Sequence, residues 1–125
     1  MSIGARAGRS RPLVVTISEV PIFYEAVAGT LRDSATVQAL KPAGRDTEVV
    51  LRAIDPDAVV VDNAQDAQAA VESALEQGFT IVHISSQDSV LRVLGPSGSW
   101  SEQGLPPMGS EAFWNILRTT TLGAG

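Results

Sequence analysis

Asp62 has the setting most suited to chemistry in this chain. It closes the stretch Pro56-Asp57-Ala58-Val59-Val60-Val61-Asp62, in which four small or β-branched apolar residues run without alternation. That pattern describes a strand covered on both faces, as in a parallel sheet with helices on either side. In such sheets ligands and reactions sit just beyond the carboxyl ends of the strands, where Asp62 stands. Glu19 follows the first apolar run, and Ser85 ends a later one. Each also has a plain structural reading. Asp62 can cap the next helix, Glu19 is an acid at a helix start favoured by the macrodipole, and Ser85 is a strand-end hydroxyl. His83 is the one histidine. It therefore reads as a strand residue rather than a base or metal ligand.

Several chemistries lack their residues. No Gly-x-Gly-x-x-Gly and no Walker loop follows the first strand. The turn Ser18-Glu19-Val20-Pro21 has no glycine and carries an acid, which makes it a poor cradle for phosphates. The absence of cysteine removes a thiolate site, and no nucleophile–histidine–acid pattern is evident around the single histidine.

The elements that must position these residues follow from periodicity. Leu13 to Ser18 reads as strand one. Pro21 suits a first helical turn, and Phe23, Ala26, Val27, Thr30 and Leu31 recur at helical spacing to about Asp33. Thr36 to Leu40 is strand two. Asp46 is placed to cap a second helix through Ile54, with Val50, Ala53 and Ile54 inward, and Asp55-Pro56 ends it. Asn63 caps a third helix with Asp66 near its positive end, an inner stripe of Ala67, Ala70, Val71, Ala74 and Leu75, and a stop at Gly78. Phe79 to Ser85 is strand four.

Strand five, Val90 to Leu94, follows after four polar residues. A parallel return needs a dozen or so residues, so the connection must be a hairpin and strand five antiparallel, at the sheet edge. Gly95 to Gly109 reads as a long loop. Within it, Trp100 is either a plug over an edge or an exposed interface anchor. Ser110 caps a last helix with Phe113, Ile116 and Leu117 inward. The expectation is one α/β domain over residues 13–122, preceded by a disordered tail at 1–12.

Three segments, taken in register, resemble response-regulator receiver domains of the NarL/LuxR type. Ser18-Glu19-Val20-Pro21-Ile22-Phe23-Tyr24-Glu25-Ala26-Val27 is similar to that family's Asp-Asp-His-Pro-Leu-Phe-Arg-Glu-Gly-Leu segment. Pro56 to Asp62 is similar to the strand carrying the phosphoacceptor, and Ile81-Val82-His83-Ile84-Ser85 to the strand ending in the switch Ser or Thr. The resemblance implies a flavodoxin-like three-layer sandwich and a phosphorylation switch in two-component signalling. It makes Asp62 the phosphoacceptor, Ser85 the switch hydroxyl, and Glu19 with Asp62 the ligands of Mg²⁺. The cation is needed because a carboxylate attacking a phosphoryl group brings two anions together.

The chain departs from that pattern. Ser18 replaces the first acid, and Asn63-Ala64-Gln65-Asp66 follows the phosphoacceptor position instead of Met-Pro. The family's lysine is missing; Lys41, after strand two, is the single lysine. The fourth helix of the family has no room between Ser85 and Val90. The implied reading is a degenerate, non-enzymatic receiver-like module without a cofactor, which binds a protein partner or itself as a homodimer through a rebuilt edge carrying Leu91 and Trp100. Two alternatives stand beside it. One is a working phosphoacceptor at Asp62 with Mg²⁺. The other is a small-ligand domain using the crevice at the strand ends.

Composition bounds the partners. A net charge of −5 argues against non-specific nucleic-acid or anionic-membrane binding. No apolar run reaches membrane-spanning length, and no apolar segment backs Arg6, Arg9 and Arg11, so a signal peptide is not expected. The expectation is a cytoplasmic protein.

Overall fold

A computed structural model describes residues 11–41, 45–85, 87–95, 98–107 and 110–122. In chain order the elements are β1 (Leu13–Ile17), α1 (Pro21–Leu31), β2 (Thr36–Leu40), α2 (Arg45–Ile54), β3 (Ala58–Val61), α3 (Ala64–Gln77), β4 (Thr80–Ser85), β5 (Val90–Leu94), β6 (Trp100–Gly104) and α4 (Glu111–Leu122). They build one six-stranded sheet in the order β2-β1-β3-β4-β5-β6. The first four strands are parallel neighbours; β5 and β6 run antiparallel.

Every residue of β3 is fully buried because both faces of the sheet are covered. On one face Val14, Val60, Val82, Ile84 and Leu91 meet Val27 and Leu31 of α1 and Phe113 and Leu117 of α4. On the other, Val15, Ile17, Val59, Val61 and Ile81 meet Leu51 of α2, Ala67, Ala70 and Ala74 of α3, and Phe79. Each buried Val, Ile, Leu or Phe side chain contributes about 1.5–3 kcal/mol. These two layers fix the strand ends.

Local chemistry sets the element boundaries. The Asn63 side chain accepts the Gln65 N–H at 2.7 Å and starts α3, as capping residues do. Gly78 ends it in the left-handed region, at φ 80°, with its N–H donating to the Ala74 carbonyl, a conformation that glycine adopts without strain. Asp55, at φ 51°, closes α2 before Pro56, where the helical region is disfavoured. The Ser110 hydroxyl accepts the Phe113 N–H at 3.2 Å at the head of α4. α2 begins at Arg45, so Asp46 lies within its first turn; the Asp46 side chain falls outside the described residues. Of the expected tail, Arg11 hydrogen-bonds the carbonyls of Arg32 and Ala35 at the end of α1, and the Pro12 carbonyl accepts from Thr36. Residues 1–10 lie outside the described residues.

The hairpin deduced from the short β4–β5 connection is present, with Ser85 opposite Val90 and no helix between the strands. The stretch expected to be a loop contains a sixth strand. β6 pairs with β5 along its length, so β5 is internal and β6 is the edge. Every residue of β6 is exposed, and a strand with no buried face carries no apolar signature. Two helix faces also differ from the periodic reading. Ala53 and Leu75 are exposed, whereas Thr47 and Ser73 are buried. Among the described residues no helix is long and apolar enough to cross a membrane.

Candidate functional site

β1 and β3 are parallel neighbours with Ile17 opposite Val61, so the residues that follow them emerge side by side. Ser18 and Asp62 meet there: the Ser18 hydroxyl donates to Asp62 Oδ2 at 2.7 Å. The same hydroxyl oxygen accepts the Val20 N–H at 2.9 Å, which holds it in place at the mouth of α1. Ser18 is thus a direct partner of Asp62.

Glu19, Val20, Asp62, Asn63, Gln65 and Asp66 line a cleft of about 340 Å³ at this end of the sheet. Three of the six are carboxylates and none is basic. Burial pushes the Asp66 carboxyl above its ordinary value, and the negative charges of Asp62 and then Glu19 push it further, since each disfavours another anion. The sequence reading placed Asp66 only as a helix-start acid. Its signal was its offset: the third residue after the Asn63 cap turns back towards the strand end that α3 leaves.

Ser85 is placed differently. Its hydroxyl donates to Asp88 Oδ2 at 3.1 Å and is not part of the cleft lining. Of the three residues expected to share one pocket, Glu19 and Asp62 do so, while the Ser85 hydroxyl is turned to the β4–β5 connection. His83, on β4 opposite Val61, is buried. Desolvation lowers its pKa and the Arg92 charge lowers it further, while Asp62 and Asp88 act in the opposite sense. The ring is therefore neutral at pH 7.

Among the described residues no arginine lines the cleft. Arg92 lies opposite His83 on β5 and pairs with Glu102 at 2.8 Å and Asp88 at 3.7 Å. Lys41 faces a second cavity on the other side of Glu19. Carboxylate oxygens are suitable donors for Mg²⁺, and Glu19 and Asp62 supply two sets of them. Among the described residues, however, no three Asp, Glu or His side chains are spaced to hold one ion.

Of the two residues expected on an interaction edge, Trp100 is on the surface, 45% exposed at the start of β6. Leu91 is not. It is fully buried in the layer beneath α4, because β6 displaces β5 from the edge and α4 covers that face.

Compared with known proteins, the chain matches no family model, no curated protein and no solved structure.

Proposed function

We propose that this chain is a receiver-like, flavodoxin-like module whose phosphorylation site is disarmed and which works by binding protein at its β6 edge. The strand order 2-1-3-4-5 within the sheet supports the flavodoxin-like reading. The observation that carries the functional reading is the Ser18–Asp62 hydrogen bond inside a cleft whose charged lining residues are all acids. A phosphoryl donor is an anion. It would approach an aspartate whose oxygen already accepts a hydroxyl, beside two more carboxylates and no lysine. Charge repulsion raises the barrier where a working site lowers it.

Protein binding is supported by the other end of the sheet. β6 presents an open edge with every residue exposed. Trp100 supplies an aromatic anchor of the kind that dominates interfaces. In this reading the module is not an enzyme, needs no cofactor, and binds a partner or a second copy of itself in the cytoplasm.

The full chain should be incubated with acetyl phosphate and Mg²⁺ and examined by intact mass. The expected result is no phosphoryl adduct. An adduct that disappears in Asp62→Asn would establish the second reading, a working phosphoacceptor. That reading has its own support: Glu19 and Asp62 line one cleft and offer carboxylate oxygens of the kind that divalent cations take.

A further inference from the structure

The two sides of β6 differ. Its inner side is in use: the Leu105 N–H donates to the Ser89 carbonyl at 2.8 Å, and the Gly95 N–H to the Ser99 carbonyl at 3.4 Å. Both bonds lie in the register that sets Val90 opposite Gly104 and Leu94 opposite Trp100. In an antiparallel ladder, the residues that exchange hydrogen bonds with one neighbour alternate along the strand. Ser101 and Gln103 therefore turn their N–H and C=O groups towards β5. Trp100, Glu102 and Gly104 turn theirs outward, along an edge where every residue is exposed.

An edge of unpaired backbone groups is a template for another strand. The sequence of β6 suits a second β6. When two copies run antiparallel about a two-fold axis through Glu102, Trp100 of each lies opposite Gly104 of the other, and Ser101 opposite Gln103. All the outward groups then pair. Sliding the pair to the next face-preserving register in one direction sets Gly104 against Gly98, whose φ of 84° takes it out of the extended region. Sliding it the other way sets Trp100 against Pro106, which has no N–H to give.

The two ends of the strand are complementary in shape. A Cβ on Gly104 would meet nothing within 4 Å. An indole from the opposite strand has room to lie across the bare glycine, a pairing that stabilises glycine in sheets. At the centre Glu102 faces its own counterpart, which is unfavourable alone. Arg92 holds each carboxylate at 2.8 Å from behind, so the central row reads Arg–Glu–Glu–Arg and carries no net charge.

We infer that β6 pairs with β6 of a second copy of this chain, antiparallel and centred on Glu102, so that two sheets join into one. The inference rests on the edge-binding reading and names its occupant. A strand of 5 residues makes a small interface. The dimer is therefore weak, with Kd on the order of 100 µM.

The full chain is examined by sedimentation velocity between about 10 µM and about 1 mM. Its mean mass should rise from monomer towards dimer. Gly104→Pro removes an outward N–H and keeps the pairing to β5, since an edge strand accepts proline where its nitrogen faces solvent. It should weaken the dimer about tenfold or more and leave the melting temperature of the monomer unchanged. Cross-linking reads the register, since the chain has no cysteine of its own. Ser101 and Gln103 of the second copy form a non-hydrogen-bonded pair, with Cα atoms about 4.5 Å apart and within disulfide reach. A mixture of Ser101→Cys and Gln103→Cys chains should oxidise to the mixed dimer, identified by intact mass, far faster than either variant oxidises alone. A chain that stays monomeric at about 1 mM overturns self-pairing but not binding of a different protein at the same edge. A dimer that Gly104→Pro leaves unweakened overturns self-pairing and counts against the edge itself. Like dimers of either cysteine variant in place of the mixed one overturn the register centred on Glu102.

Discussion

The two halves of the sheet are built on different physics. Strands β1, β3 and β4 are sealed between two layers of helices, and nearly all their side chains are buried. β5 still buries Leu91 under α4 and Leu94 in the opposite layer, whereas β6 extends beyond that shelter and buries nothing. The first half is held by apolar burial. At the outer margin β6 is held by backbone pairing to β5 and by the cross-strand pair of Arg92 with Glu102. The sealed half is therefore a rigid frame for the groups at its ends. The outermost strand lies beyond that frame, with every residue exposed.

The contrast is sharpened by substitutions ranked by expected cost. Phe79→Ala removes a fully buried ring from the layer under α3. It should cost about 3–5 kcal/mol in urea denaturation. Asp57→Ala should follow. The buried Asp57 carboxylate accepts the Leu13 N–H at 2.7 Å and ties the start of β1 to the start of β3. Its loss should cost about 1–3 kcal/mol. A double-mutant cycle on Arg92 and Glu102 should give a coupling of about 0.2–1 kcal/mol, reduced by salt, since both side chains are substantially exposed. Trp100→Ala, at an exposed position, should weaken association measured by light scattering. Its effect on stability should be about 0.5 kcal/mol or less. Unchanged mass and unchanged partner binding would remove the edge from the functional account. A Phe79 cost no larger than the Trp100 cost would erase the distinction between the halves.

Proton linkage separates two buried groups by sign. The folded pKa of His83 lies below its ordinary 6.5, so the unfolded chain takes up the proton first. Stability should fall as pH drops below 6.5 towards that lower value, and His83→Gln should flatten the slope. Asp66 behaves oppositely. Its folded pKa lies above 3.8, so stability is lost as pH rises from 3.8 through the raised value. Asp66→Asn should remove that loss, read as the melting temperature across an acidic pH series.

The sealed half was legible in the sequence for a physical reason. Burial on two faces writes long apolar runs, as in Ala58–Val61, and helix ends write their own chemistry, as with Asn63 and Gly78. The hairpin was legible from connection length alone. β6 was not, because Trp100-Ser101-Glu102-Gln103-Gly104 owes its strand geometry to the neighbour it pairs with rather than to its composition. Leu91 was misplaced by the same omission, since a residue assigned to an edge strand is wrongly expected on the surface. At the candidate site, the serine at position 18 was visible but its bond to Asp62 was not. Spacing brings two strand ends together without saying which way a hydroxyl turns.

The Ser85 hydroxyl begins a string of contacts that crosses the outer strands. Ser85 holds Asp88, Asp88 lies 3.7 Å from Arg92, and Arg92 holds Glu102 on the outermost strand. That strand is the third neighbour of β3 along the sheet. Three strand spacings amount to roughly 14 Å. The middle contact of the string, at 3.7 Å, is longer than a hydrogen bond and its charged members are substantially exposed, so it is a surface string of charges that added salt would loosen.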